Sequence, residues 1–184
     1  MNSAFRRLLA KHQLKHLAEF KRGSKGMDKA AGFVAAFSDT LILLHRLEWD
    51  TFRLNGYTVI RAEDVSYYRV FDSPKYWQYQ AAKLFRHAPK CPKGFLFGSL
   101  QGFLKSNVGK DRLVTLHVEK TKPDACYIGP VVSVTEKTVV IEDLNCNAEW
   151  TGLRRLRLAD VTKIDFGGGY EEALAKTAPD VVGK

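Results

Sequence analysis

The sequence predicts a mainly β protein with helices, an α+β arrangement of two tandem small barrels joined by a helical linker. Three observations carry this expectation. A pattern of glycine, arginine and aspartate recurs 96 residues apart. Short apolar, β-branched runs alternate with polar turns around each copy. Two stretches of helical periodicity lie between the copies.

The repeat is plainest where NGYTVIRAEDVSYYR, ending at Arg69, meets TGLRRLRLADVTKID, ending at Asp165. Gly56 matches Gly152, Arg61 matches Arg157, and Asp64-Val65 matches Asp160-Val161. Upstream, GFVAAFSDTLILLHRL from Gly32 matches GPVVSVTEKTVVIEDL from Gly129. Each of these is two apolar runs around a polar turn, Ser38-Asp39 or Thr135-Glu136-Lys137, and reads as a hairpin. A loop with Trp49 or Trp150 then leads to a strand containing Ile60-Arg61 or Leu156-Arg157, and an aspartate opens the final strand. LVTLHVE from Leu113 supplies a leading strand in the second copy; in the first, LKHLAEFKR fits helix or strand. Four or five short strands in about 55–60 residues suit a small barrel, which leaves no open edge. Internal repetition means repeated structural units.

The boundaries follow. Residues 1–22 form a basic N-terminal helix or arm, starting near residue 3, and residues 23–74 form the first barrel. Residues 75–112 form a basic helical linker, and residues 113–184 the second barrel with a short C-terminal helix. In the linker, Ser73-Pro74 offers an N-cap and a proline at the first helical position. Trp77, Ala81, Leu84 and Phe85 share one face, expected to meet the core, and Leu96, Leu100, Phe103 and Leu104 repeat the spacing in a second helix. APKCPKG breaks the two apart. GGGY at Gly167–Tyr170 reads as a flexible turn before the last helix, without the Lys-Ser/Thr of a phosphate-binding loop.

Each copy resembles the Sm-like fold, a small five-stranded SH3-like barrel. Gly129 to Asp143 resembles its first half; VIRAEDVSYY and RLRLADVTKI resemble its second, with Arg61 and Arg157 in the arginine place. FRLNGYTVIRAEDV and LRLADVTKIDFGGGYEEAL also look like uncharacterised bacterial proteins with tandem Sm-like or SH3-like modules. The resemblance implies a barrel fold. Ala62 and Leu158 replace the family's glycine, and neither turn holds the asparagine of its RNA-binding members, so the resemblance does not carry over a uridine pocket.

Charge directs the functional reading. The chain is +9 overall, and residues 1–30 and 75–112 each carry eight basic side chains, against two and one acidic. Lys83, Arg86, Lys90, Lys93, Lys105 and Lys110 interleave with Tyr76, Trp77, Tyr79 and Phe85. Cations neutralise phosphates and aromatic faces stack on unpaired bases, so single-stranded RNA or DNA is the expected partner. The competing reading of these residues is a solvated lysine face over core aromatics. Arg61 and Arg157 are candidate groove residues, or structural ion-pair partners of nearby carboxylates. Asp64 and Asp160 read as turn caps. Trp49 and Trp150 are candidate anchors for a protein partner, or lids folded over a barrel end. His12 and His16, or His87 and Cys91, are too few for a metal site. No nucleophile, metalloprotease or dinucleotide-binding motif is present, so the expectation is a non-catalytic binding protein without cofactors.

Cys91, Cys126 and Cys146 are odd in number and lack CxxC spacing, which argues for reduced thiols in the cytoplasm. No apolar run is long enough for a membrane helix, so stable membrane insertion is not expected. The arm's composition also suits a transit peptide, and an amphipathic arm on anionic membrane is a weaker alternative because its apolar stripe is broken.

Overall fold

The computed structural model describes residues 1–23, 27–109 and 112–179. The first copy gives α1 (Ser3–His12), β1 (Leu17–Arg22), β2 (Ala30–Phe37), β3 (Leu41–Glu48), β4 (Arg53–Arg61) and β5 (Val65–Phe71). The linker gives α2 (Trp77–Leu84) and α3 (Leu100–Lys105). The second copy gives β6 (Val114–His117), β7 (Cys126–Gly129), β8 (Val131–Val134), β9 (Thr138–Leu144), β10 (Trp150–Arg157), β11 (Lys163–Phe166) and α4 (Gly169–Thr177).

Among the described residues all eleven strands join one open antiparallel sheet, in the order β10-β9-β7-β6-β11-β4-β3-β2-β1-β5, with β8 paired to β9. This overturns the expectation of two closed barrels joined by a helical linker. β4 does not close its own copy. It takes β11 of the other copy, in register from Tyr57↔Phe166 to Ile60↔Lys163. An open strand edge needs a partner, and here the other copy supplies it. One core runs through the junction: Leu41, Leu43 and Val59 pack with Val114, Leu116, Ile141, Ile164 and Phe166.

The repeat itself is structural. The turns at Ser38 and Thr135 close alike, each side-chain oxygen accepting from a backbone N–H three residues on. Ala62–Asp64 and Leu158–Asp160 form matched 3-10 turns. A Cβ on Gly32 would lie 2.3 Å from the His45 carbonyl oxygen, and one on Gly129 would lie 1.8 Å from that of Glu142, so both positions exclude a side chain. Pro130 follows Gly129, and its missing donor separates β7 from β8. Within LKHLAEFKR, Leu17–Arg22 forms strand β1, laid between β2 and β5, after a turn at Leu14–His16.

The helices depart from their expected bounds. α2 starts after Tyr76, with no side-chain cap, rather than at Pro74. α3 starts after Ser99, whose side chain accepts from the Gly102 N–H, and Leu96 lies outside it, exposed. The GGGY turn is tightly packed. Gly56 meets the Gly167-Gly168 backbone so closely that its Cβ would lie 2.5 Å from the Gly168 nitrogen. Among the described residues no helix is long and apolar enough to cross a membrane.

Charge is buried at the junction. Asp165 on β11 accepts from the Thr58 hydroxyl of β4 at 2.5 Å and from His117 Nε2 of β6 at 2.8 Å. Lys163 Nζ and Arg46 Nη1 each lie 3.8 Å from the same carboxylate. Burial would push the Asp165 carboxyl up, but the His117 hydrogen bond and the Lys163 charge outweigh it and hold it well below the usual range. Arg22 at the end of β1 makes a buried bidentate pair with Glu119, which also accepts from Thr162. Glu119 is held low as well, because these bonds overcome its burial.

A carboxylate whose folded pKa is depressed stabilises the fold above its unfolded pKa and loses that contribution as pH falls through the folded value. Asp165→Asn leaves the half-buried Lys163 and Arg46 without their countercharge and breaks the His117 and Thr58 bonds, and is expected to cost about 2–4 kcal/mol at neutral pH. The wild-type advantage shrinks below about pH 4, where unfolded carboxyls protonate. Urea midpoints of both proteins at neutral and acid pH check this; equal midpoints at neutral pH contradict it.

Candidate nucleic-acid interface between arm and linker

The arm is fixed to the sheet before the site begins. Asn2 caps α1 by accepting from the Phe5 N–H. Leu9 is buried, Phe5 and Leu8 pack against the same cluster, and the Phe5 and Tyr68 rings stack at 4.8 Å. Past the helix, Gln13 Nε2 donates to the Ala35 carbonyl and the Leu14 N–H to that of Val34. These bonds place Lys15 and His16 at the head of β1.

α2 lies across β1. Ala81 and Ala82, with Tyr76, pack on the cluster of Leu17, Phe33, Phe71, Leu47 and Phe52. The helix ends in a Schellman turn: the Arg86 N–H bonds the Lys83 carbonyl at 3.1 Å and the His87 N–H bonds that of Ala82 at 3.3 Å. Arg86 therefore takes the left-handed position, at φ 49°, where glycine is usual.

Between arm and helix is a cavity of about 220 Å³. Its apolar lining includes Leu17, Phe33, Phe71 and Ala82; Lys15, His16, Lys83 and Arg86 supply the cationic and ionisable groups, and none of its lining residues is acidic. The His16 and Tyr79 rings lie nearly parallel at 6.2 Å, and Lys83 Nζ sits 4.5 Å from the centre of the Tyr79 ring. His87 lines the same cavity. Its Nε2 is buried and has no hydrogen-bond partner among the described residues. Burial holds the His87 imidazole below its ordinary pKa, so it is neutral at neutral pH.

The structure thus brings Lys83 and Arg86 together with two arm residues that sequence reasoning did not single out as binding groups, Lys15 and His16. Lys90, Lys93 and Lys105 are exposed but belong to other segments. Lys90 follows α2 and its N–H donates to His45 Nδ1, whereas Lys105 ends α3, which packs on β8 of the second copy. Lys110 lies outside the described residues.

The stripe of Trp77, Ala81, Leu84 and Phe85 meets the core only in part: Ala81 packs on it, and the Trp77 and Phe85 rings each lie 5.5 Å from the buried Phe52, yet Trp77, Leu84 and Phe85 stay exposed. Their exposures are 59%, 79% and 50%, while the smaller Ala81 and Ala82 take the inner face. Trp49, 38% exposed, leans on Phe52 at 6.0 Å and Trp77 at 6.3 Å, so an aromatic surface continues from the β3–β4 turn onto α2. Trp150 is placed differently. Its indole N–H donates to the Pro179 carbonyl, and its ring packs on the cluster of Ile128, Leu144 and Leu174.

The matched arginines also diverge. Arg61 reaches across the junction, donating through Nε to the Val161 carbonyl at 2.8 Å and through Nη2 to that of Leu158 at 2.5 Å. Arg157 has no second copy beside it and pairs with Asp160. Among the described residues neither aspartate side chain bonds backbone at its turn: Asp64 pairs with Lys120 of the other copy, and Asp160 with Arg157. His12 and His16 face each other with Nδ1 atoms 3.0 Å apart. Burial and the neighbouring His16 lower the His12 pKa.

Losing two charge-assisted hydrogen bonds, Arg61→Ala is expected to cost about 1–3 kcal/mol, whereas Arg157→Ala leaves the urea midpoint in place. Equal losses would contradict the assignment of Arg61 as the clamp across the junction. No protein-family model matches the chain, and no curated protein matches it.

Proposed function

We propose that the protein is a non-catalytic, nucleic-acid-associated adaptor or regulator that holds single-stranded RNA or DNA on the arm–linker face. The observation that carries this reading is the exposed aromatic side of α2, with Trp77 and Phe85 beside the cations Lys83 and Arg86. Aromatic faces next to phosphate-neutralising cations are what a single strand needs, since every base has a face to stack and every nucleotide a phosphate. Lys15 joins Lys83 and Arg86 around the cavity, and Lys90 and Lys93 extend the charge along the linker. Arg61 contributes to the fold rather than to this surface, because its donors are committed to backbone. The setting is cytoplasmic, without membrane insertion: Cys91, Cys126 and Cys146 are exposed and unpaired, which suits a reducing compartment.

Anisotropy of a labelled mixed-sequence 20-mer across a salt series tests this. Three phosphate contacts give a log–log slope of about −2 for a single strand, and further lysines steepen it. Lys83→Glu with Arg86→Glu is expected to weaken binding at low salt and flatten the slope. Absence of binding by folded protein at low salt overturns the reading.

A second reading rests on a different property of the same helix. Trp49, Trp77, Leu84 and Phe85 form an exposed apolar surface of the kind that marks a protein interface. In that case Trp49→Ala with Trp77→Ala abolishes capture of a protein partner, and the charge reversals leave it intact.

A further inference from the structure

The cavity beside this surface has properties that surface binding does not use. At about 220 Å³ it is smaller than the roughly 300–1,000 Å³ of sites that enclose drug-sized molecules, so it holds one ring-sized group. Its floor is apolar, from Leu17, Phe33, Phe71 and Ala82, and three fixed cations, Lys15, Lys83 and Arg86, line it without an acid to neutralise them. All three are solvent-exposed, so their charge is open to a ligand.

Two further observations point to an occupant. His87 Nε2 is buried with no partner among the described residues, although a buried polar atom ordinarily has one. Arg86 holds the left-handed position of the Schellman turn, at φ 49°, where a side chain is strained and glycine is not. That conformation puts a guanidinium-bearing residue in the cavity lining.

From these features we infer that the cavity receives one unstacked base of a bound single strand, with the adjoining phosphate held by Lys15, Lys83 and Arg86. The base ring buries against Leu17, Phe33 and Ala82, and His87 Nε2 takes a hydrogen bond from, or gives one to, its edge. The neutral state of His87 allows either role, because an uncharged imidazole nitrogen is donor or acceptor according to tautomer. The inference rests on the single-strand reading of the arm–linker face and adds a defined base subsite to it. Such a site discriminates strands by whether bases are present and free, a distinction that phosphate contacts alone do not make.

The experiment compares a normal 20-mer with a 20-mer of equal length and charge whose sugars carry no bases, on wild-type protein and two variants. Ala82→Trp fills the cavity without changing charge. His87→Ala removes the edge contact and serves if the larger substitution prevents folding, which circular dichroism reports. The expected result is that wild type binds the normal strand about fivefold to a hundredfold more tightly than the baseless one, the worth of stacking a base. Either folded variant loses much of that preference and keeps its salt slope. Equal affinity of wild type for the two strands overturns the base subsite, and base stacking on Trp77 and Phe85 with it, leaving phosphate contacts alone. An undiminished preference in both variants also overturns the subsite, since the bases then stack elsewhere. Failure of both strands to bind overturns both readings.

Discussion

The pairing of β4 with β11 is the constraint on which the rest of the molecule depends. It joins the two copies edge to edge and leaves β5 and β10 at the ends of the main strand path, with β8 beside β9. Its register sets Thr58 opposite Asp165, so a hydroxyl from one copy meets a carboxylate from the other with His117, Lys163 and Arg46 around it. Buried charges of this sort add little net stability over an apolar core, but breaking one side is costly, so they fix which strands pair. Arg22 with Glu119 and Lys120 with Asp64 repeat the device away from the strand register, each linking one copy to the other.

The functional surface follows from what the junction leaves free. With β4 covered, the linker divides its work. α3 packs on β8 and delivers Phe103 and Leu104 to the shared core, while α2 covers β1 through two alanines. Small residues on the inner face bring the helix close but cannot fill the space beside the arm. The cavity is what remains, lined by Tyr79, while Trp77 and Phe85 keep about half their surface exposed beside it.

Much of this architecture was legible in the sequence as local structure. Gly32 and Gly129, the two polar turns, and the turns ending at Asp64 and Asp160 all reflect short-range geometry that a repeat preserves. The junction was not legible, because a strand edge carries no local mark of which distant edge it will meet. Arg61 and Arg157 show the limit: identical motifs, one clamped on the other copy's backbone and one at an open edge with only its own aspartate. The stripe of Trp77, Ala81, Leu84 and Phe85 holds only in part for a related reason. Periodicity identifies a face but not what it meets, and Ala81 and Ala82 fit against β1 where larger groups do not. Basic charge in the arm and linker was visible as composition. Its convergence was not, since the cavity draws on residues 14–17, 33, 71 and 79–89.

The central claim is that two copies make one sheet and share a core cluster across the junction. Hydrogen exchange in increasing denaturant tests it most directly, following amides of β2, β3 and β4 beside those of β6, β9 and β11. The account predicts that the most protected amides of both copies converge on one opening free energy and are released together. Exchange of one copy at low denaturant, while the other stays protected to its own higher limit, would show two separate units and contradict the account.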